Sequence, residues 1–255
     1  MAVSGAGFWS RRLSMAASIA LAIGGTALGA GTAFAAGQTA PRADRAEIEA
    51  IVRDYILSHP EIIPEAVARL EQAEGRKALA ANRKAIDTPF PGAVAGNMAG
   101  DVKLVVFFDY ACPYCRQGHA DVSRLVREDA KLGVIYRDFP VLSPASTEAA
   151  MASLSAAQQG GYRKFHDAMF ESPGRVSTAR TMGIVKGVGL SEDRTTSDLK
   201  NEALKAEVNR NLELGRALGL TGTPSYVVGN RILSGAVGYD RLKEAVAAAR
   251  AENAR

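Results

Sequence analysis

The sequence predicts an α/β domain carrying an inserted helical subdomain and preceded by an N-terminal α-helical segment. Three observations carry this. The continuous apolar run Leu104 to Phe108 reads as a strand buried on both faces, and it leads through Pro113 into a helix and then a second strand, Gly133 to Asp138. Strand, helix and strand in one sheet imply a parallel pair with a right-handed crossover. From Pro140 to Gly222 only helical patterns follow, over a span too long for a structureless loop in a compact domain.

The first 35 residues have the layout of a signal peptide. Arg11 and Arg12 precede an uncharged stretch, Met15 to Ala36, that ends in the small-residue pattern Ala33, Phe34, Ala35, so cleavage is expected after Ala35. Gly24, Gly25, Gly29 and Gly31 thin the apolar run and argue against a retained membrane anchor. The tandem arginines also resemble a twin-arginine signal, and both export routes fit. With no cysteine near the cleavage site, a lipid anchor is not expected. Export places the mature chain in the periplasm. Removing these residues leaves 29 Lys and Arg against 27 Asp and Glu, a near-neutral balance that gives no electrostatic footprint for nucleic acid.

Residues 36–88 form the N-terminal helical segment and linker. Ile48, Ile51, Val52, Tyr55 and Ile56 recur at helical spacing, Pro60 marks a break, and Ile62, Ile63, Ala66, Val67 and Leu70 continue the pattern on a second helix. Beyond Leu70 the chain is charged and alanine-rich, helical by propensity. So apolar a pair of helices outside the main domain needs a covering surface, and an oligomerisation stalk is preferred over packing on its own domain.

Residues 89–255 make the main domain. Gly92 to Gly96 reads as a short strand, Asn97 to Asp101 as a turn and Val102 to Phe108 as the central strand. The insertion, about 140–222, offers helices at Ser146 to Gln159, Tyr162 to Phe170, Ser177 to Val188, and Glu192 to Leu218 with a break near Lys200. Ser225 to Val228 and Arg231 to Ser234 flank the hairpin turn Gly229-Asn230, and Asp240 reads as the N-cap of a last helix through Arg250.

The chain's two cysteines, Cys112 and Cys115, form one CxxC. Pro113 suits a first helical turn, which places Cys112 at a helix N-terminus. Unpaired backbone N–H groups and the positive end of the helix dipole favour a thiolate there, so Cys112 is expected to have a lowered pKa and to act as nucleophile. Cys115, one turn on, is the expected resolving thiol. A structural zinc site needs about four ligands, and the chain adds three histidines, His59, His119 and His166. His119 follows Cys115 at i+4 and would complete a soft-metal CxxCxxxH set, but a surface position is preferred for it. A structural disulfide would close too small a loop to constrain the unfolded chain. Redox exchange is the favoured chemistry, and it requires neither organic cofactor nor metal.

The buried strand into CPYC, the helical insertion and TGTPSYVVGNRILSGAVGYDRL together resemble the DsbA-like branch of the thioredoxin superfamily, secreted thiol:disulfide oxidoreductases. The resemblance runs from about Pro89 to the C-terminus. It implies a thioredoxin fold, a cis Pro224 against the CxxC, and substrate binding by Pro113, Tyr114, Thr223 and Pro224. It further implies cysteine-containing protein substrates and a membrane redox partner, either a quinone-linked oxidase or an electron-donating reductase. The N-terminal helices resemble those of the ScsC proteins, which implies a homo-oligomer and tilts the reading toward isomerase or reductase over dithiol oxidase; a Cu(I)-binding module is the more distant alternative. One departure stands out. The family's buried acid, six residues before the first cysteine, is here Val106, and Asp109 is expected at least as well to be a solvated strand-end charge as a substitute.

Overall fold

The structure, a computed structural model, describes residues 44–254, so the expected signal peptide and the first part of the N-terminal segment lie outside the described residues. The chain divides into two units at Asp54/Tyr55, within α1 (Arg45–Ser58). The described part of the first unit is helix, with the Arg45 guanidinium donating to Glu49 one turn on at 2.7 Å.

The second unit begins with the end of α1. His59 N–H still bonds Tyr55 C=O at 2.9 Å, Pro60 stops the run, and α2 (Ile62–Asp87) follows as one uninterrupted helix. Its C-terminal half is a core element. Leu79 and Ile86 are buried among Val105, Phe107, Ile135, Phe139 and Leu214, so the expected division at residue 88 falls after a helix that already covers one face of the sheet. Arg137 fixes this end: its guanidinium donates to the carbonyls of Ala85, Ile86 and Thr88, to Asn211 at 2.9 Å and to Glu207 at 3.5 Å.

The sheet contains β1 (Val94–Gly96), β2 (Val102–Phe108), β3 (Leu132–Asp138), β4 (Ser225–Val228) and β5 (Arg231–Ser234), in spatial order β1-β3-β2-β4-β5. β2 and β3 are parallel, with Leu104 opposite Val134, and the other pairs are antiparallel. Central β2 is buried on both faces, as its unbroken apolar run requires. Leu104, Val106 and Phe108 face the larger core, and Val105 and Phe107 face α2. The hairpin turns at Gly229, whose φ of 55° suits glycine and where a Cβ would stand 2.9 Å from that of Ala249.

The crossover is α3 (Pro113–Glu128). Its buried stripe, Cys115, Gly118, His119, Val122 and Leu125, follows helical periodicity. Between β3 and β4 the inserted helices are α4 (Pro144–Gln158), α5 (Tyr162–Glu171), α6 (Thr178–Gly187), α7 (Glu192–Asp198) and α8 (Glu202–Ala217). Ser143, Ser177, Ser191 and Asn201 cap four of them through their side chains, and the last cap makes the expected break near Lys200. The final helix, α9 (Tyr239–Asn253), corrects one expectation: its N-cap is Gly238 at φ 84°, and Asp240 lies inside the first turn, where its charge complements the dipole.

Candidate active site

Cys112 occupies the N-cap of α3 with extended backbone angles (φ −81°, ψ 118°), and Pro113 opens the helix. The segment arrives from β2 through Asp109, whose carbonyl accepts the Cys112 N–H at 3.0 Å. The Asp109 carboxylate is buried and holds three backbone N–H groups, those of Ala111 (2.8 Å), Val141 (2.9 Å) and Leu142 (3.0 Å). It is therefore not a solvated charge: it ties the loop before the dithiol to the loop after β3. Among the described residues nothing in these contacts routes it to a cysteine side chain.

Both thiols are free and buried, yet their settings differ. Cys112 Sγ lies 3.2 Å from the carbonyl oxygen of Thr223, and the Thr223–Pro224 peptide bond is cis, as the resemblance implies. Pro113 and Tyr114 are exposed, Thr223 is half-buried and Pro224 buried, so four expected substrate-binding positions surround Cys112 with a graded surface. The Cys112 thiol is lowered to about 6: the hydrogen bond from the Cys115 thiol is the largest cause, contacts with Thr223 and the N–H groups of Cys115 and Tyr114 add to it, and burial opposes. For Cys115 burial comes first and pushes the thiol up, with the Cys112 contact acting in the same direction. One sulfur is thus suited to be an anion at neutral pH and its neighbour to stay protonated, which is the asymmetry a nucleophile and a resolving thiol need.

His119 corrects a second expectation. It is buried, stacked on Phe170 at 5.2 Å between ring centroids, and its Nε2 lies 3.4 Å from Asp167 Oδ1. Burial lowers its pKa, with Asp167 raising it in opposition. Beside it His166 is enclosed by Tyr110, Tyr136, Tyr162 and Phe108, and Tyr110 Oη is 3.0 Å from His166 Nδ1. Burial holds His166 well below the usual imidazole range. The sequence offered one clue to this cluster, the i+4 spacing of Cys115 and His119; its other members come from α5 and the strands. Among the described residues no group of three or more His, Cys, Asp and Glu side chains could hold a metal ion.

A buried dithiol at the N-terminus of a crossover helix, facing a cis proline across a mixed sheet, defines a thioredoxin-like fold. The DSBA-like thioredoxin domain model matches residues 103–247, more than half of the chain, and the chain belongs to that family. Residues 44–76 match the copper resistance protein ScsC N-terminal domain. Among solved structures it is similar to a thioredoxin-like oxidoreductase from Silicibacter pomeroyi, at 37% identity and TM-score 0.65, covering 67% of this chain and 98% of that one. A linker-deletion mutant of Proteus mirabilis ScsC matches at 29% identity and TM-score 0.69, covering 85% of this chain and 100% of the other. Among curated proteins, Na(+)/H(+) antiporter NhaA 1 of Salinispora arenicola is 26% identical over 158 residues, 61% of this chain. The chain spans only 24% and 29% of the length of the first two curated antiporter relatives. Among the described residues no helix is long and apolar enough to cross a membrane. The fold is that of the DsbA-like thiol–disulfide oxidoreductases.

Proposed function

We propose that this chain is an exported, periplasmic thiol:disulfide oxidoreductase that exchanges disulfides with protein cysteines through Cys112 and Cys115, acting as an isomerase or reductase. The observation that carries the exchange is the opposed perturbation of the two thiols, Cys112 lowered to about 6 and Cys115 raised. Reduced Cys112 attacks a wrong substrate disulfide and forms a mixed disulfide, with one substrate sulfur leaving as thiolate. Either the freed substrate thiolate attacks again at another position, or Cys115 attacks Cys112 and releases the substrate reduced. Thr223, Pro224, Pro113 and Tyr114 bind the substrate chain beside Cys112. A membrane electron donor returns the pair to the dithiol.

The direction is supported by the N-terminal helices. Ile48, Ile51, Val52, Tyr55, Leu57, Ile63, Val67 and Leu70 are each 49% to 66% exposed, an apolar series that a homo-oligomer would cover, within a stretch that matches an ScsC N-terminal domain. Leu57→Glu with Leu70→Glu should reduce the solution mass to that of one chain; an unchanged mass removes the oligomer from this reading.

One observation favours the oxidase instead. A thiolate stabilised at Cys112 makes the disulfide more oxidising, so the same pair could donate its disulfide and be recycled by a quinone-linked partner. Alkylation trapping of the two thiols in cells separates the directions: mostly reduced supports isomerase or reductase, mostly oxidised overturns it in favour of oxidase. The copper reading retains the two sulfurs alone, since among the described residues no third His, Cys, Asp or Glu side chain joins them in a group that could hold a metal ion.

A further inference from the structure

The exchange reaction leaves one proton without a carrier. Cys115 is buried, and to attack the mixed disulfide at Cys112 it must lose its thiol proton, while the position from which the family resemblance expects an acid is apolar Val106. Behind Cys115 lies a cavity of about 10 Å3, lined by Val106, Cys115, Gly118, His119, His166 and Tyr226 among others. That is close to the room one water molecule needs. Two buried polar atoms beside it, Tyr226 Oη and His119 Nδ1, have no hydrogen-bond partner among the described residues. Tyr226 Oη is so close to α3 that a Cβ at Gly118 would stand 2.2 Å from it, so glycine there is what lets the hydroxyl approach. An open surface hollow lies on the other side, lined by His119, Arg116, Ser123, Arg127, Phe170 and Glu171. His119 and Phe170 line both the cavity behind the dithiol and that hollow, and of the two only His119 can carry a proton.

We propose that His119, positioned by Asp167, accepts the Cys115 proton through a water in this cavity and passes it to solvent through the outer hollow. This rests on the reading of Cys112 and Cys115 as the exchanging pair. His119 Nε2 lies 3.4 Å from Asp167 Oδ1 and 3.9 Å from Glu171 Oε1, a setting that favours the ring proton on Nε2 and leaves the lone pair of the unpartnered Nδ1 free to accept. In the step, Cys115 gives its proton to the water as the water gives one to Nδ1. The Cys115 sulfur bonds Cys112 Sγ, the bond from Cys112 to the substrate sulfur breaks, and the substrate leaves as thiolate. The imidazolium then releases its proton outward. Around the ring, α5 contributes Asp167, Glu171, Arg163 and His166, α3 contributes Arg116 and Arg127, β3 contributes Tyr136 and β4 contributes Tyr226. Asp167 and Glu171 favour the imidazolium, whereas Arg163 disfavours it.

Stopped-flow reaction of the reduced protein with dithiobis-nitrobenzoate separates the steps, because the first coloured thiolate reports attack by Cys112 and the second reports resolution by Cys115. His119→Gln should slow the second phase by about 100-fold and remove its pH-dependent limb, leaving the first phase as in the parent. Asp167→Asn, at a partly exposed site that spares the fold, should retain the limb but move its midpoint to lower pH, since loss of the carboxylate destabilises the imidazolium. A second phase with the parent's rate and pH profile in both variants overturns the proposal. Loss of the first phase from the parent itself would instead overturn the assignment of the dithiol.

Discussion

Replacing Cys115 with alanine removes the largest cause of the lowered Cys112 thiol, the hydrogen bond from the Cys115 S–H. A hydrogen bond to an ionised acceptor contributes about 1.5–3 kcal/mol, so its loss should move the Cys112 midpoint up by about 1–2 pH units. The Thr223 contact and the N–H groups of residues 114 and 115 persist and hold it below the ordinary thiol value of 9.0. From about 6, the midpoint should therefore reach about 7–8, and the thiolate fraction at pH 7 should fall from about 90% to about 10–50%. The rate of alkylation alone is a poor readout, because each fall in pKa also lowers the sulfur's intrinsic nucleophilicity. The assay is the pH dependence of iodoacetamide labelling, or of thiolate ultraviolet absorbance, in the reduced parent and the variant. A variant midpoint still near 6 would refute the reasoning and assign the lowering to the helix terminus. The same shift has a stability consequence. A group whose folded pKa is depressed stabilises the fold above its unfolded pKa and loses that contribution as pH falls through the folded value. For Cys112 the window runs from about 9 down to about 6. The contribution remaining at pH 7 is on the order of 1.4 kcal/mol.

Three further outcomes follow from the packing. Arg137→Leu should undock the end of α2 at a cost of about 3 kcal/mol, near the low end for a broken buried pair because Arg210 still holds Glu207 at 2.9 Å; differential scanning calorimetry should show a melting temperature lower by about 6–12 °C. Asp109→Ala leaves three part-buried backbone N–H groups without their carboxylate partner and should destabilise by about 1–2 kcal/mol in urea unfolding, with faster proteolysis near Val141 than in the parent. Asp138 is raised well above the usual carboxylate range, by burial first, with Ser153 Oγ donating to it at 2.8 Å in opposition. Its folded form favours the proton, so parent stability should fall as pH rises above the unfolded carboxylate value; Asp138→Asn should flatten that fall and unfold at a higher urea midpoint than the parent at pH 8.

The elements with local signals were legible in the sequence. The apolar run of β2, the Gly229-Asn230 hairpin, the helix break near Lys200 and the placing of Cys112 ahead of Pro113 each need only a few neighbouring residues to be read. What escaped depends on partners distant in the chain. Leu79 and Ile86 are isolated apolar residues in a charged helix, and only the sheet face they cover reveals them as core. Asp109 reads as a strand-end charge until the N–H groups of Val141 and Leu142 arrive from beyond β3. His119 reads as surface because its cover, Phe170 and Asp167, lies on α5 in the insertion. Asp240 reads as a cap by residue type, whereas the positive φ at Gly238 starts the helix two residues earlier.

The exchange activity itself is most directly measured by reduction of insulin disulfides by the reduced protein, with Cys112→Ser and Cys115→Ala alongside the parent. The parent should precipitate insulin in the presence of excess dithiol; with no added dithiol, reduced Cys115→Ala should stall as a trapped mixed disulfide visible by mass, and Cys112→Ser should do neither. If Cys112→Ser reduced insulin at the parent's rate, Cys112 would not be the nucleophile and the chemistry proposed for this dithiol would be wrong.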